Sequence, residues 1–195
     1  MKDSAKINVQ SIAKGVRLIL EGLGEDLQRE GLLETPVRVA RFYEEFFGTS
    51  ADIKDLHKTF GVERYDRYVL LRDLPFYSLC EHHLLPFHGH VSMAYEVQGK
   101  RVLGLSKCIR ILELYAHRLQ LQERLTEEVA DALVKATNSS GVMVLLEAKH
   151  FCIRMRGVRS SHATYVTRAL RGNFASDANL LSDVLDMIRL GRAKT

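Results

Sequence analysis

Cysteine is scarce in this chain, with Cys80, Cys108 and Cys152 the only three among 195 residues. An odd number without framework spacing excludes a disulfide-stapled fold and favours a reducing compartment, where thiolates can bind metal. No run of about 18 apolar residues occurs, so no segment is expected to span a membrane. The polar opening Met1-Lys2-Asp3-Ser4 has no apolar signal region, and the expectation is a soluble, cytoplasmic protein with no membrane partner. Internal repeats, low-complexity segments and basic blocks are also missing. The net charge of +4 is spread along the chain and interleaved with acids, as in Arg118 to Glu128. That pattern argues against nucleic acid as a partner and suits small polyphosphates held in a pocket. An apolar fraction of 46% is ample for a core.

The pattern of elements points to α+β. Ile12, Val16, Ile19 and Leu20 recur at helical spacing before Gly22 and Gly24. Thr35-Pro36 reads as an N-cap followed by proline at the first helical position, opening a helix to Phe47 that Gly48 ends. The first sixty residues therefore read as helical, and the texture changes from Tyr65. Strands are expected at Tyr68 to Leu71 and Val91 to Val97, with a Gly99-Lys100 turn into a strand from Arg101 to Leu105. A long helix from Ser106 to Thr137, bent near Leu119, comes next. Further strands are expected at Gly141 to Leu146, Phe151 to Met155 and Thr164 to Leu170, with a turn at Ser160-Ser161 between the last two. A helix from Ala175 to Leu190 closes the chain.

Cys80-Glu81-His82-His83 and the distant His150-Phe151-Cys152 hold the ingredients of a zinc site. Cys80 and His83 are close enough for one turn to aim both at an ion, and Cys152 would complete three ligands with one tetrahedral position open. His82 and His150 would then be free to move protons. On a strand, residues 150 and 152 would share a face. The opposing reading takes each cysteine as a small buried hydrophobe, which suits Cys108 on its helix. His57, His88, His90, His117 and His162 read as ordinary polar residues. Glu81 either orients an imidazole or is a turn carboxylate. Ser106 is a natural N-cap, yet with Lys107 and Arg110 it could also grip phosphate at a helix N-terminus. Arg156-Gly157 adds a guanidinium near Cys152. Glu123 could accept the N1–H and 2-amino edge of guanine, or could lie with Gln122 on a solvated helix face.

Several motifs in order carry a resemblance over nearly the whole chain. They are Gly22-Leu23-Gly24-Glu25-Asp26, Arg29-Glu30-Gly31-Leu32, Thr35-Pro36-x-Arg38-Val39-Ala40 and Ser78-x-Cys80-Glu81-His82-His83-x-x-Pro86-Phe87-x-Gly89. Gly104-Leu105-Ser106-Lys107, Gln120-x-Gln122-Glu123-Arg124-Leu125 and His150-x-Cys152-x-x-x-Arg156-Gly157-Val158 complete the set. The sequence resembles the GTP cyclohydrolase I family. The resemblance implies a tunnelling fold (an antiparallel sheet with packed helices) at 63–195 behind an N-terminal helical segment at 1–62. It also implies assembly into a toroidal homodecamer of two pentamers with sites shared between subunits. The implied reaction turns GTP and water into formate and 7,8-dihydroneopterin triphosphate, the first step of pterin and folate biosynthesis. Cys80, His83 and Cys152 would hold Zn2+, with water as fourth ligand attacking guanine C8. His82 and His150 would transfer protons, and Glu123 with Gln122 would anchor guanine. Ser106, Lys107, Arg110 and Arg156 would surround ribose and triphosphate, and Arg38 would reach across a subunit boundary.

The chain departs from the family's usual residues at Leu27 and Val97, where proline is frequent, and at Ala163 and Tyr165, in a stretch usually richer in Ser and Thr. None of these removes a metal ligand, a proton-transfer candidate or the guanine anchor. Two other readings compete. A structural zinc protein would need Glu81 or His82 as fourth ligand. A tunnelling-fold nitrile reductase would use a cysteine nucleophile and nicotinamide in place of metal.

Overall fold

The structure is a computed structural model that describes residues 7–48, 56–63 and 67–192. Met1 to Ser4 and Tyr65 lie outside the described residues. Contacts divide the chain into two compact units, Met1–Ser50 and Ala51–Thr195.

The first unit is a helix pair, α1 (Val9–Gly22) and α2 (Thr35–Phe47). Asn8 caps α1 by accepting the Ser11 amide at 2.8 Å, and Gly24 leaves the helix at φ +76°. The α2 N-cap is Glu34 rather than Thr35, so Pro36 stands in the first turn, where its missing N–H is no loss.

The second unit is built on a five-stranded sheet in the order β5-β2-β3-β6-β7. Its strands are β2 (Tyr68–Cys80), β3 (Pro86–Glu96), β5 (Leu119–Gln120), β6 (Gly141–His150) and β7 (Tyr165–Gly172). All pairings are antiparallel except the short β2–β5 contact. The helices α3 (Leu105–Ala116) and α4 (Gln122–Thr137) cover one face, burying Ile111, Leu112, Val129 and Leu133 against Val142, Val144 and Leu146. The short α6 (Asn173–Ser176) and α7 (Ala178–Arg192) cover the other, with Phe174, Leu180, Val184 and Ile188 on Ala94 and Met143. Because both faces of β6 are buried, Gly141 to Leu146 reads as a nearly unbroken apolar run. Gly89 leaves no room for a side chain between β3 and β6: a Cβ there would stand 1.8 Å from the Glu147 carbonyl oxygen. Among the described residues no helix is long and apolar enough to cross a membrane.

Four expectations change. The first sixty residues are not all helical, since β1 (Thr59–Gly61) pairs with β4 (Arg101–Leu103), and Gly99 and Lys100 form the expected turn with positive φ. The expected helix from 106 to 137 is two helices. Leu119 and Gln120 leave the helical path and pair with Leu79 and Cys80, exchanging helix hydrogen bonds for sheet bonds. The expected strand at Phe151 to Met155 is instead the single-turn helix α5 (Phe151–Arg154). Its partner β3 begins at Pro86, with Phe87 paired to His150. Past that point the neighbouring strand has ended, at a proline with no N–H to give, and the chain satisfies its backbone locally. Ser106 is likewise not the N-cap of α3; Gly104 is.

Candidate active site and metal centre

The end of β2 and the turn after it deliver the first two ligands. The Cys80 carbonyl accepts the amides of His83 at 3.4 Å and Leu84 at 2.9 Å, and Leu84 takes φ +55° to close the turn. Glu81 does not orient an imidazole. It forms an ion pair with Arg124 of α4, while its amide donates to the Gln120 carbonyl at 3.1 Å. Arg124 also donates to the Gln120 side chain at 2.8 Å and the Leu119 carbonyl at 2.9 Å. The turn is thereby tied to the β5–α4 junction.

The third candidate ligand arrives on α5. Cys80, His83 and Cys152 each offer one donor atom, and these atoms lie within 4.8 Å of one another. The Sγ of Cys80 is 3.9 Å from Nδ1 of His83. A tetrahedral ion with Zn–S near 2.3 Å and Zn–N near 2.1 Å sets such donors about 3.6 Å apart, so the trio fits zinc. Burial raises the Cys152 thiol, and the neighbouring Cys80 sulfur raises it further, while Arg156 opposes both. Two thiols held this close without a cation repel as they ionise, and a divalent ion removes that conflict. Cys108 is different: it is fully buried in the α3 core and pushed up to about 11 by desolvation.

His150, the last residue of β6, stacks on Phe87 with ring centroids 4.5 Å apart and meets Tyr165 edge-on at 5.9 Å. Its Nε2 is 2.7 Å from Oε1 of Gln122, and burial lowers its pKa despite Glu123 nearby. His82, exposed in the turn, lies edge-on to His83 at 6.1 Å. Glu123 opens α4 beside them. A bond from its own amide holds its carboxyl below the usual range, helped by the Tyr165 hydroxyl at 2.8 Å and by His150 and His82. Ser106, Lys107 and Arg110 occupy the first turns of α3, and Arg156 follows α5 just before Gly157 at φ +58°. Arg38 belongs to the first unit, where it pairs with Glu34 at 3.1 Å and donates to the Gly31 carbonyl at 3.1 Å.

For several residues that the motifs and departures include, the sequence does not indicate the contacts they make. Arg124 and Gln120 brace the metal turn, and Tyr165 touches both Glu123 and His150. Their common signal is placement: Gln120 is in register with Cys80, and Tyr165 and Thr167 alternate onto one face of β7.

An α+β domain with a Cys/His/Cys centre beside two further imidazoles and a helix-borne carboxylate has the make-up of a metal-dependent enzyme. The chain belongs to the GTP cyclohydrolase I family, whose profile matches residues 12–189. It is similar to GTP cyclohydrolase 1 of Thermoanaerobacter pseudethanolicus, 50% identical over 183 residues covering 93% of this chain and 97% of that one. The Clostridium perfringens GTP cyclohydrolase 1 is 50% identical over 186 residues, 94% of this chain and all of its own.

Proposed function

We propose that this chain is a zinc-dependent GTP cyclohydrolase I. It opens the imidazole ring of the guanine of GTP at C8, releases formate and yields 7,8-dihydroneopterin triphosphate. The observation that carries this reading is the convergence of three metal-donor atoms within 4.8 Å in a chain of this family. Cys80, His83 and Cys152 would hold the ion. Bound there, zinc supplies a Lewis acid that activates water, tempered by two thiolates that neutralise its formal charge.

The rest of the chemistry falls to side chains. Glu123, kept ionised by its amide and hydroxyl donors, accepts the N–H edge of guanine and so orients C8. His82 and His150 carry protons to and from the opening ring. Ser106, Lys107, Arg110 and Arg156 hold the ribose and triphosphate, whose binding energy positions the base without joining the reaction. Arg38 serves the triphosphate of a neighbouring subunit in a cytoplasmic toroid of two pentamers with the tunnelling fold. A closed structural metal site is disfavoured because Glu81, one of its two possible fourth ligands, is engaged by Arg124.

The test is formate release from GTP by zinc-loaded protein, alongside the fluorescent pterin formed on oxidation. Chelator should abolish both and zinc should restore them. Zinc-replete protein that produces neither overturns the proposal.

A further inference from the structure

The side chain of Gln122 is 1% exposed and every polar atom on it is engaged. Its oxygen lies 2.7 Å from Nε2 of His150. Its nitrogen faces the Leu146 carbonyl at 3.2 Å, the Tyr165 carbonyl at 3.0 Å and Oγ1 of Thr167 at 3.1 Å. The partners decide which end of the amide is which. Carbonyl oxygens only accept, so the NH2 group must face them; the reversed amide would press its oxygen against two others. Thr167 points the same way. The Thr126 hydroxyl, 2.7 Å from the backbone carbonyl of Gln122, spends its one hydrogen there. It therefore receives the hydrogen of Thr167, 2.6 Å away, and Thr167 is left as an acceptor for the amide. All three groups around the nitrogen accept. The amide oxygen then accepts from His150, whose Nε2 must carry a hydrogen.

We infer that Gln122 is a positioning residue that fixes the ring of His150 and holds it as the Nε2–H tautomer, with Nδ1 as the nitrogen left to the reaction. The inference rests on His150 acting in the proposed reaction. The ring has little freedom to evade the constraint. It lies within 5° of parallel to Phe87 and at 83° to Tyr165, and a half-turn would set a ring carbon against the Gln122 oxygen. A neutral amide suits the task because its oxygen can only accept, and so selects the ring nitrogen that carries the hydrogen. With both ends occupied, the Gln122 side chain has nothing to offer a guanine edge, unlike Glu123 beside it.

Gln122→Met keeps the length of the side chain and deletes the amide, and Thr167→Val disturbs the amide from its far side. Both variants should retain zinc and show KM for GTP within about twofold of wild type, while kcat falls about ten- to a hundredfold for Gln122→Met. The fall should be smaller for Thr167→Val. Solid-state nitrogen NMR of histidine-labelled wild type, with His150 assigned by difference from His150→Phe, should report a protonated Nε2 and an unprotonated Nδ1. Gln122→Met should mix the tautomers. A raised KM with kcat unchanged would make Gln122 a base-binding residue and overturn the inference, as would an Nδ1–H signal in wild type. If wild type releases no formate, the proposed reaction fails, and the NMR result still decides the tautomer.

Discussion

Cys80 and Gln120 stand in register across the two-residue parallel pairing of β2 with β5. The first metal-ligand candidate and the start of the α4 helix are therefore neighbours through backbone hydrogen bonds. From that contact the chain needs only two residues to reach Gln122, and one more to reach Glu123. The pairing sets the distance between the metal-donor cluster and Glu123, the proposed guanine anchor.

Cys152→Ala should remove stoichiometric zinc and reduce formate release to background, because two donors remain where three converge. Cys108→Ala should keep both, with a stability loss of about 1 kcal/mol for the small cavity it leaves. Metal analysis of the purified variants, paired with thermal unfolding, checks both expectations.

Arg124→Ala unties Glu81 from α4 without touching a ligand. Metal affinity should fall about tenfold, the scale of losses when a group supporting a ligand is removed. Competition with a chromophoric chelator measures it, and an unchanged affinity would show that the turn holds its shape alone.

Glu123→Ala should raise KM for GTP at least about tenfold, since hydrogen bonds to an ionised group are worth about 1.5–3 kcal/mol. Zinc content should stay at the wild-type level. Steady-state kinetics on metal-loaded protein separates this outcome from a general loss of structure.

Glu96 is nearly buried at the end of β3. Desolvation pushes its pKa up, but bonds from Ser140 at 2.7 Å, Arg67 at 2.9 Å and Asn173 at 2.8 Å outweigh it, and the net shift is downward. A carboxyl that is a stronger acid when folded stabilises the fold above its unfolded pKa and loses that stabilisation as pH falls through the folded one. Glu96→Gln should cost about 1–3 kcal/mol at neutral pH, and the difference from wild type should shrink below about pH 4. Denaturant melts across that range test the sign.

Gly89→Ala should destabilise by about 1–3 kcal/mol or prevent folding, because its Cβ would meet the Glu147 carbonyl and prise β3 from β6. Thermal unfolding of the variant measures this.

Much of the fold is legible along the chain. The periodicity of α1 and α2, the Gly99-Lys100 turn and the apolar run of β6 are local features, set by side-chain spacing and backbone preference over a few residues. The Cys/His motif is local too, as metal chemistry restricts which residues can serve. The errors lie where a partner strand decides. Leu119-Gln120 has helical neighbours on both sides and becomes a strand only because the edge of β2 is there to pair with it. Phe151 to Arg154 has the look of a strand and coils because β3 has ended.

Residue identity alone determined the family, the α+β composition and the candidate ligands, since each rests on side-chain chemistry and short-range spacing. Tertiary structure alone decided that Cys152 meets Cys80, that Arg124 rather than an imidazole takes Glu81, and that Gln122 faces His150. Those are contacts between segments 28 to 72 residues apart. Nothing in the spacing of a chain encodes which distant backbone will offer a carbonyl, and it is two such carbonyls, with the Thr167 hydroxyl, that turn the Gln122 amide toward the histidine.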